Sequence, residues 1–257
     1  MWDGIVGKNE GGRIENCTNS AVVQNSGRYA TGGIVGWSVN NANVKNCANL
    51  GEIRGVMYTG GICGTIEEGA IITESYNLGK VSGNDETGGI AGRCHVGTIQ
   101  KCYNEGTISG PSKVGGILGD NLGPENGDFG ENTNTIVENC WNSGTIIGDG
   151  DYVGGIIGQQ TGNDNAKLTK CYSIGVITSG GSYTGGVVGS LETASVSGCW
   201  YLEGTATGGI GGSDVAGQAE FRTSTYMKSS AFIQELGEAN WKLIESMNDG
   251  YPILAWQ

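Results

Sequence analysis

Two short motifs alternate along this chain with a period of about 28 residues, and that periodicity limits its fold more tightly than any other feature. The first motif is Gly32-Gly33-Ile34-Val35-Gly36 and its variants at 60–64, 88–92, 115–119, 154–158 and 185–189. A truncated copy opens the chain at Gly4 to Gly7, and a worn one stands at Gly208 to Gly212. The second motif is a Cys followed two places later by Asn. It reads Cys17-Thr18-Asn19, Cys47-Ala48-Asn49, Ser75-Tyr76-Asn77, Cys102-Tyr103-Asn104, Cys140-Trp141-Asn142, Cys171-Tyr172-Ser173 and Cys199-Trp200-Tyr201. A unit this short cannot bury its own apolar face, so neighbouring copies must do it by stacking.

Counted from the Cys as zero, positions +2, +4 and +6 are typically Asn, Gly and an aliphatic residue, as in Asn104, Gly106 and Ile108. That is the period of a β-strand, and it assigns Cys, Asn, Gly and Ile to one face. The small and aliphatic face reads as interior. An aliphatic also stands at −3 (Ile14, Val44, Ile72, Ile99, Val137, Leu168, Val196), which breaks the parity and places a bend at a corner between −3 and zero. The expected fold is all-β: a parallel β-solenoid, or β-helix, of about seven coils spaced roughly 4.8 Å apart. Asn19, Asn49, Asn77, Asn104 and Asn142 would form an inward ladder of stacked amides.

The pattern is interrupted twice and then ends. A polar, acidic insertion runs from Asp120 to Glu131, and a smaller one spans Gly162 to Asn165. After Gly217 the repeat stops. Thr223-Ser224-Thr225 then precedes a stretch with apolar residues at 227, 231, 232 and 236 and a stop at Gly237, which predicts a helix near 224–236. With the apolar run Tyr251 to Trp256 as a final strand, residues 218–257 are expected to form a C-terminal cap on the solenoid of 1–217, closing its open end.

Composition enters at three points. Fifty glycines among 257 residues raise the question of disorder, but 37% hydrophobic residues in fixed register and only 16% charged ones argue against it. A net charge of −12 disfavours nucleic acid as a partner. No apolar run reaches the roughly 18 residues of a membrane span, so no membrane insertion is expected of this stretch. Met1 to Gly7 already lies inside a repeat, so the chain reads as a piece of a longer protein whose targeting signals lie elsewhere.

With Gly-Gly-Ile-Val-Gly and Cys-Tyr-Asn-x-Gly-x-Ile recurring over nearly all of 1–212, the unit resembles the GLUG repeat of bacterial surface proteins. The tail from Met227 to Gly237, with Asn248 to Leu254, is similar to the segment that often closes such repeats. The resemblance implies a β-solenoid and an extracellular or cell-surface setting. Its members include large secreted or wall-attached proteins and non-catalytic regions of IgA-specific metallopeptidases, and it supplies no catalytic residue.

The residues themselves offer few chemical candidates. Six of the eight cysteines share one register, with side chains too parallel for bridges, and read as buried thiols. Cys63 falls in the core by its motif position, while Cys94 lies off both registers and reads as the exposed thiol. His95 is the single histidine and reads as a turn residue. Arg54, Arg93 and Lys101 look scattered rather than clustered with acids. No catalytic residue and no cofactor is expected, with calcium in the loop of Asp120, Glu125, Asp128 and Glu131 as the one exception to weigh. Tyr76, Tyr103, Trp141, Tyr172 and Trp200 all stand at +1, on the outward face. They form a stacked structural row, lie under a loop, or make an exposed stripe that binds a ligand such as a sugar. The function expected is therefore a non-catalytic adhesin, stalk or scaffold binding a host or matrix glycan or protein. Two alternatives are an accessory region of a secreted IgA-specific-type metallopeptidase and a polysaccharide lyase.

Overall fold

The computed structural model describes residues 4–27, 29–123, 134–162 and 165–257. Each coil contributes to four parallel sheets of 12, 8, 6 and 6 strands. In the second coil these strands are Thr31–Gly32, then Val35–Val39 with Asn43–Lys45, then Ala48–Asn49, then Ile53–Arg54. Seven strands stack in order along the largest sheet, which gives the expected solenoid of about seven turns. Register holds position for position: Tyr76 pairs with Tyr103, Tyr103 with Trp141 and Trp141 with Tyr172.

The broken parity before the Cys is a corner made by one left-handed residue. Asn16, Asn46, Glu74, Lys101, Asn139 and Lys170 all have φ between 50° and 57°, and Gly198 takes the same place at 55°. A single residue in that region reverses the side-chain alternation without adding length. That is why both the −3 aliphatic and the Cys face inward. Val44, Ile72, Ile99, Val137 and Leu168 are fully buried and join Cys47, Cys102, Cys140 and Cys171 in one core cluster.

All eight cysteines are free, and seven of them are buried. The thiols do more than fill space. Cys102 Sγ donates to the Gln100 carbonyl at 3.2 Å and Cys140 Sγ to the Glu138 carbonyl at 3.2 Å. Ser75 Oγ makes the equivalent bond to the Thr73 carbonyl at 2.9 Å, which explains why a hydroxyl can stand for the thiol in that coil. Burial pushes the Cys47 thiol up to about 11 and raises Cys102 and Cys171 as well, so none of these three is a thiolate at neutral pH. Cys94, expected to be exposed, is fully buried: it pairs with Ile66 on an inward row of the largest sheet. His95 likewise lies within the strand Ala91–Gln100 and not in a turn.

The asparagine ladder is continuous. Asn19 Nδ2 donates to Asn49 Oδ1 at 2.8 Å, and the links Asn49–Asn77, Asn77–Asn104 and Asn104–Asn142 each measure 2.7 Å. Ser173 Oγ accepts from Asn142 at 3.3 Å and ends the run. Each Nδ2 also donates to the carbonyl two residues ahead, as Asn104 does to Gly106 at 2.8 Å. Every amide is thus satisfied in a site closed to water.

The tail departs from expectation in place and form. The predicted helix is two short ones, α1 (Ser224–Met227) and α2 (Ser230–Leu236), each started by a side-chain cap, Thr223 and Ser229. Strand Ile253–Leu254 pairs antiparallel with Trp241–Lys242. These elements lie along the flank of the solenoid over the sheet that carries the +1 aromatics, rather than across its end. The last coil is instead followed by Ala219–Arg222, which pairs parallel with Cys199–Leu202.

Candidate functional site

The +1 aromatics form the expected row but not a free surface. Tyr76 and Tyr103 stack with centroids 4.9 Å apart, Tyr103 and Trp141 at 4.7 Å, and Trp141 and Tyr172 at 6.2 Å, all within 6° of parallel. The tail covers them. Trp141 and Tyr172 are fully buried, Tyr103 and Trp200 nearly so, against Met227, Phe232, Leu236, Trp241 and Leu254. The tail is pinned to the corner residues of three successive coils. Trp256 Nε1 donates to the Lys101 carbonyl at 3.0 Å, Trp241 Nε1 to Asn139 Oδ1 at 3.2 Å, and Lys170 Nζ to the Glu235 carbonyl at 2.6 Å. The Tyr172 hydroxyl donates to the Pro252 carbonyl. Strand periodicity separates two faces but does not say what covers the outer one, and here the chain's own tail does. Removing residues 223–257 is expected to turn this row into a sticky surface. The truncated chain should bind a hydrophobic dye and self-associate where the full chain does neither, as dye fluorescence and light scattering would register.

The acidic-loop reading also changes. Asp120 is a buried residue of the strand Leu118–Leu122, not part of an exposed loop, while Glu125, Asp128 and Glu131 lie outside the described residues. Lys113 Nζ donates to Asp120 Oδ2 at 2.7 Å and to Glu86 Oε1 at 3.3 Å. Arg93, whose strand position pairs with that of Asp120, has its Nε 3.9 Å from Glu86 Oε2. Arg93 is therefore clustered with acids, contrary to the impression its sequence position gives. The strands that bring these residues together are neighbours in space but up to 34 positions apart in the chain. Among the described residues no group of three or more His, Cys, Asp or Glu side chains gathers to hold a metal.

Burial sets the protonation of this cluster. It pushes the Glu86 carboxyl up to about 7, helped by the charge of Asp120 and opposed by Lys113 and Arg93. Asp120 is raised for the same reason, with Lys113 offsetting part of it. For Lys113, burial pulls downward, but the bond to Asp120 and the charges of Asp120 and Glu86 outweigh it and hold the ammonium protonated. A Glu whose folded pKa lies above its unfolded value binds a proton more readily in the native state. Its contribution to stability is full below about 4.5 and disappears as pH rises through about 7. The stability difference between the native chain and Glu86→Gln should accordingly shift against the native chain by about 3 kcal/mol between those limits. Urea titrations of both proteins across that range would measure it.

Beside this cluster, on the outer face of the largest sheet, runs a row of paired positions: Lys8, Trp37, Thr65, Arg93, Asp120, Gln159 and Ser190. A second row borders it just before the Gly-Gly pairs, at Ala30, Tyr58, Glu86, Lys113, Tyr152 and Tyr183. Small Ala30 and Thr65 stand among large neighbours in these rows. A cleft of about 390 Å³ opens there, lined by Tyr29, Ala30, Trp37, Tyr58, Thr65 and Glu67. Trp37 Nε1 donates to Glu67 Oε2 at 3.1 Å, fixing the carboxylate against the ring edge. Lys8 Nζ sits 4.9 Å from the Trp37 ring centroid, and the Arg93 guanidinium 5.0 Å from that of Tyr58. This aromatic site is not evident from the Cys motif, because its residues belong to two other registers. The signal that marks it is the recurrence of Tyr two places before Gly-Gly at 58, 152 and 183.

The comparisons agree with this architecture. Residues 4–24 and 27–54 match the model of the GLUG motif. The chain superposes on the crystal structure of a candidate immunoglobulin A1 protease from Bacteroides ovatus with a TM-score of 0.59, covering 97% of this chain and 77% of that one at 21% identity. At that identity the likeness speaks for the fold alone. No curated protein matches the chain. The GLUG motif is thus shown for residues 4–24 and 27–54, and the later coils continue the same register in a chain wound as a parallel β-helix.

Proposed function

We propose that the chain is a non-catalytic repeat module of an extracellular bacterial surface protein, a rigid scaffold that presents a binding surface to a glycan or protein. The observation that carries this reading is how the reactive groups are used. The repeated thiols and amides are bonded inside the coils, and the cluster of Glu86 and Asp120 is neutralised by Lys113 and Arg93. Lys113 is held protonated by Asp120 and Glu86 and is not poised as a lyase's lysine base. The reading of an accessory region in a secreted peptidase draws support from the extent of the likeness to the Bacteroides ovatus protein. It too assigns this module a non-catalytic part. Incubating the chain with a panel of acidic polysaccharides and with immunoglobulin A1 tests the proposal. Intact substrates with saturable binding of at least one would support it, and unsaturated uronate ends or cleaved heavy chain would sink it.

A further inference from the structure

The cleft between Tyr29, Trp37 and Tyr58 has a composition that narrows what can occupy it. Three aromatic side chains supply most of its wall, and one carboxylate, Glu67, supplies its charge. Two cations described near the cleft already have carboxylates of their own: Lys8 Nζ lies 2.9 Å from Glu10 Oε2, and Arg93 pairs with Glu86. Among the described residues Glu67 makes no ion pair. It accepts from Trp37 Nε1 and, at 3.5 Å, from Thr65 Oγ1. Among the described residues the cleft therefore holds one negative charge without an ion-pair partner, in a protein whose net charge of −12 attracts cations over a longer range.

Ring faces attract cations through their quadrupole, and this surface already uses that attraction twice, at Lys8 over Trp37 and Arg93 over Tyr58. Lys8 comes from the coil before Trp37, whereas Thr65 and Glu67, which line the cleft, come from the coil after it. An ordinary ammonium would bring three N–H donors to a cleft with a single charged acceptor, and unmet donors are costly to desolvate. A sugar would have to meet its hydroxyls with Glu67, Tyr29, Thr65 and Tyr58, of which Thr65 already donates to Glu67 and Tyr58 already accepts from Arg93. A methylated ammonium has no such demand: its methyl groups pack on the rings and its charge answers Glu67.

We propose that this cleft binds a quaternary ammonium group, with Tyr29, Trp37 and Tyr58 as the ring walls and Glu67 as the counter-charge. The proposal rests on the reading of the chain as a module that binds without cleaving. Calorimetric or NMR titration of the full chain with choline, beside its neutral tert-butyl analogue, tests it. Choline is expected to bind about tenfold or more tightly than the analogue. Trp37→Ala and Glu67→Gln should each weaken choline by about tenfold. Tyr29→Ala, at a side chain 71% exposed, should weaken it severalfold while leaving the circular dichroism and melting of the fold unchanged. It serves as the control if Trp37→Ala is destabilised. Phosphocholine and an N-trimethyl-lysine peptide, titrated in parallel, identify the carrier, and preference for either over the neutral analogue supports the proposal. Equal affinity for choline and its analogue, or saturable binding of neutral sugars with no response to any quaternary ammonium, would overturn it. The sugar result would leave the binding-module reading standing, whereas substrate cleavage would remove that reading independently.

Discussion

Gly116→Ala is expected to abolish folding or to cost more than about 4 kcal/mol, the range of severe core overpacking. A methyl group there would overlap the Gly155 carbonyl oxygen of the next coil and press on Asn142 Cβ at 2.8 Å. Neither neighbour can yield. The carbonyl belongs to the backbone, and Asn142 is fixed by its bonds to Asn104, Gly144 and Ser173. Gly89 and Gly61 stand in the same relation to the coils that follow them, so the defect is a property of the register and not of one site. Gly204→Ala is the matched control. Its φ is 86°, but nothing lies within 4 Å, and the loss should stay near the 1–2 kcal/mol of a left-handed alanine. Equilibrium denaturation followed by fluorescence and circular dichroism compares the two.

Asn104→Asp should cost about 4 kcal/mol at neutral pH, the scale of a buried charge stripped of its donors. The substitution removes the N–H groups that reach Asn142 Oδ1 and the Gly106 carbonyl, and it sets a carboxylate against two acceptors. Protonation restores one donor. The variant's folded pKa therefore lies above its unfolded value, and the deficit should shrink as pH falls. Asn104→Ser should be milder, about 2 kcal/mol, because Ser173 already terminates the ladder with a hydroxyl. A denaturation series over pH separates the three proteins. Equal stability of Asn104→Asp and the native chain at neutral pH would mean that the ladder is ornamental.

The repeat made the coil legible because its constraints are local and recur. Seven near-copies of one pattern place Asn104 inward as firmly as Asn49, and the corner before each Cys shows itself as a break in parity. What was not legible depended on contacts between segments far apart in the chain. Nothing in the spacing of Tyr103 and Trp141 says that Trp256 and Trp241 will lie over them. Asp120 looked like the first residue of an acidic insertion, yet it continues a strand, because its pairing with Arg93 is decided by the preceding coil. Cys94 and His95 fall outside both motifs, and their place is hidden for the same reason: their strand, Ala91–Gln100, is longer than the motif that announces it. The aromatic cleft needed the fold as well, since Tyr29, Trp37, Tyr58 and Glu67 come from two different sheets or their approaches.

One property of the ladder bears on how such a molecule can change. Asn77 and Asn104 are 27 positions apart and Asn104 and Asn142 are 38 apart, yet both links measure 2.7 Å. The longer interval leaves the spacing of its flanking asparagines unchanged. Chain length and axial rise are therefore uncoupled in this architecture. Between Asn104 and Asn142 the chain has been lengthened while the strands on either side keep their alignment.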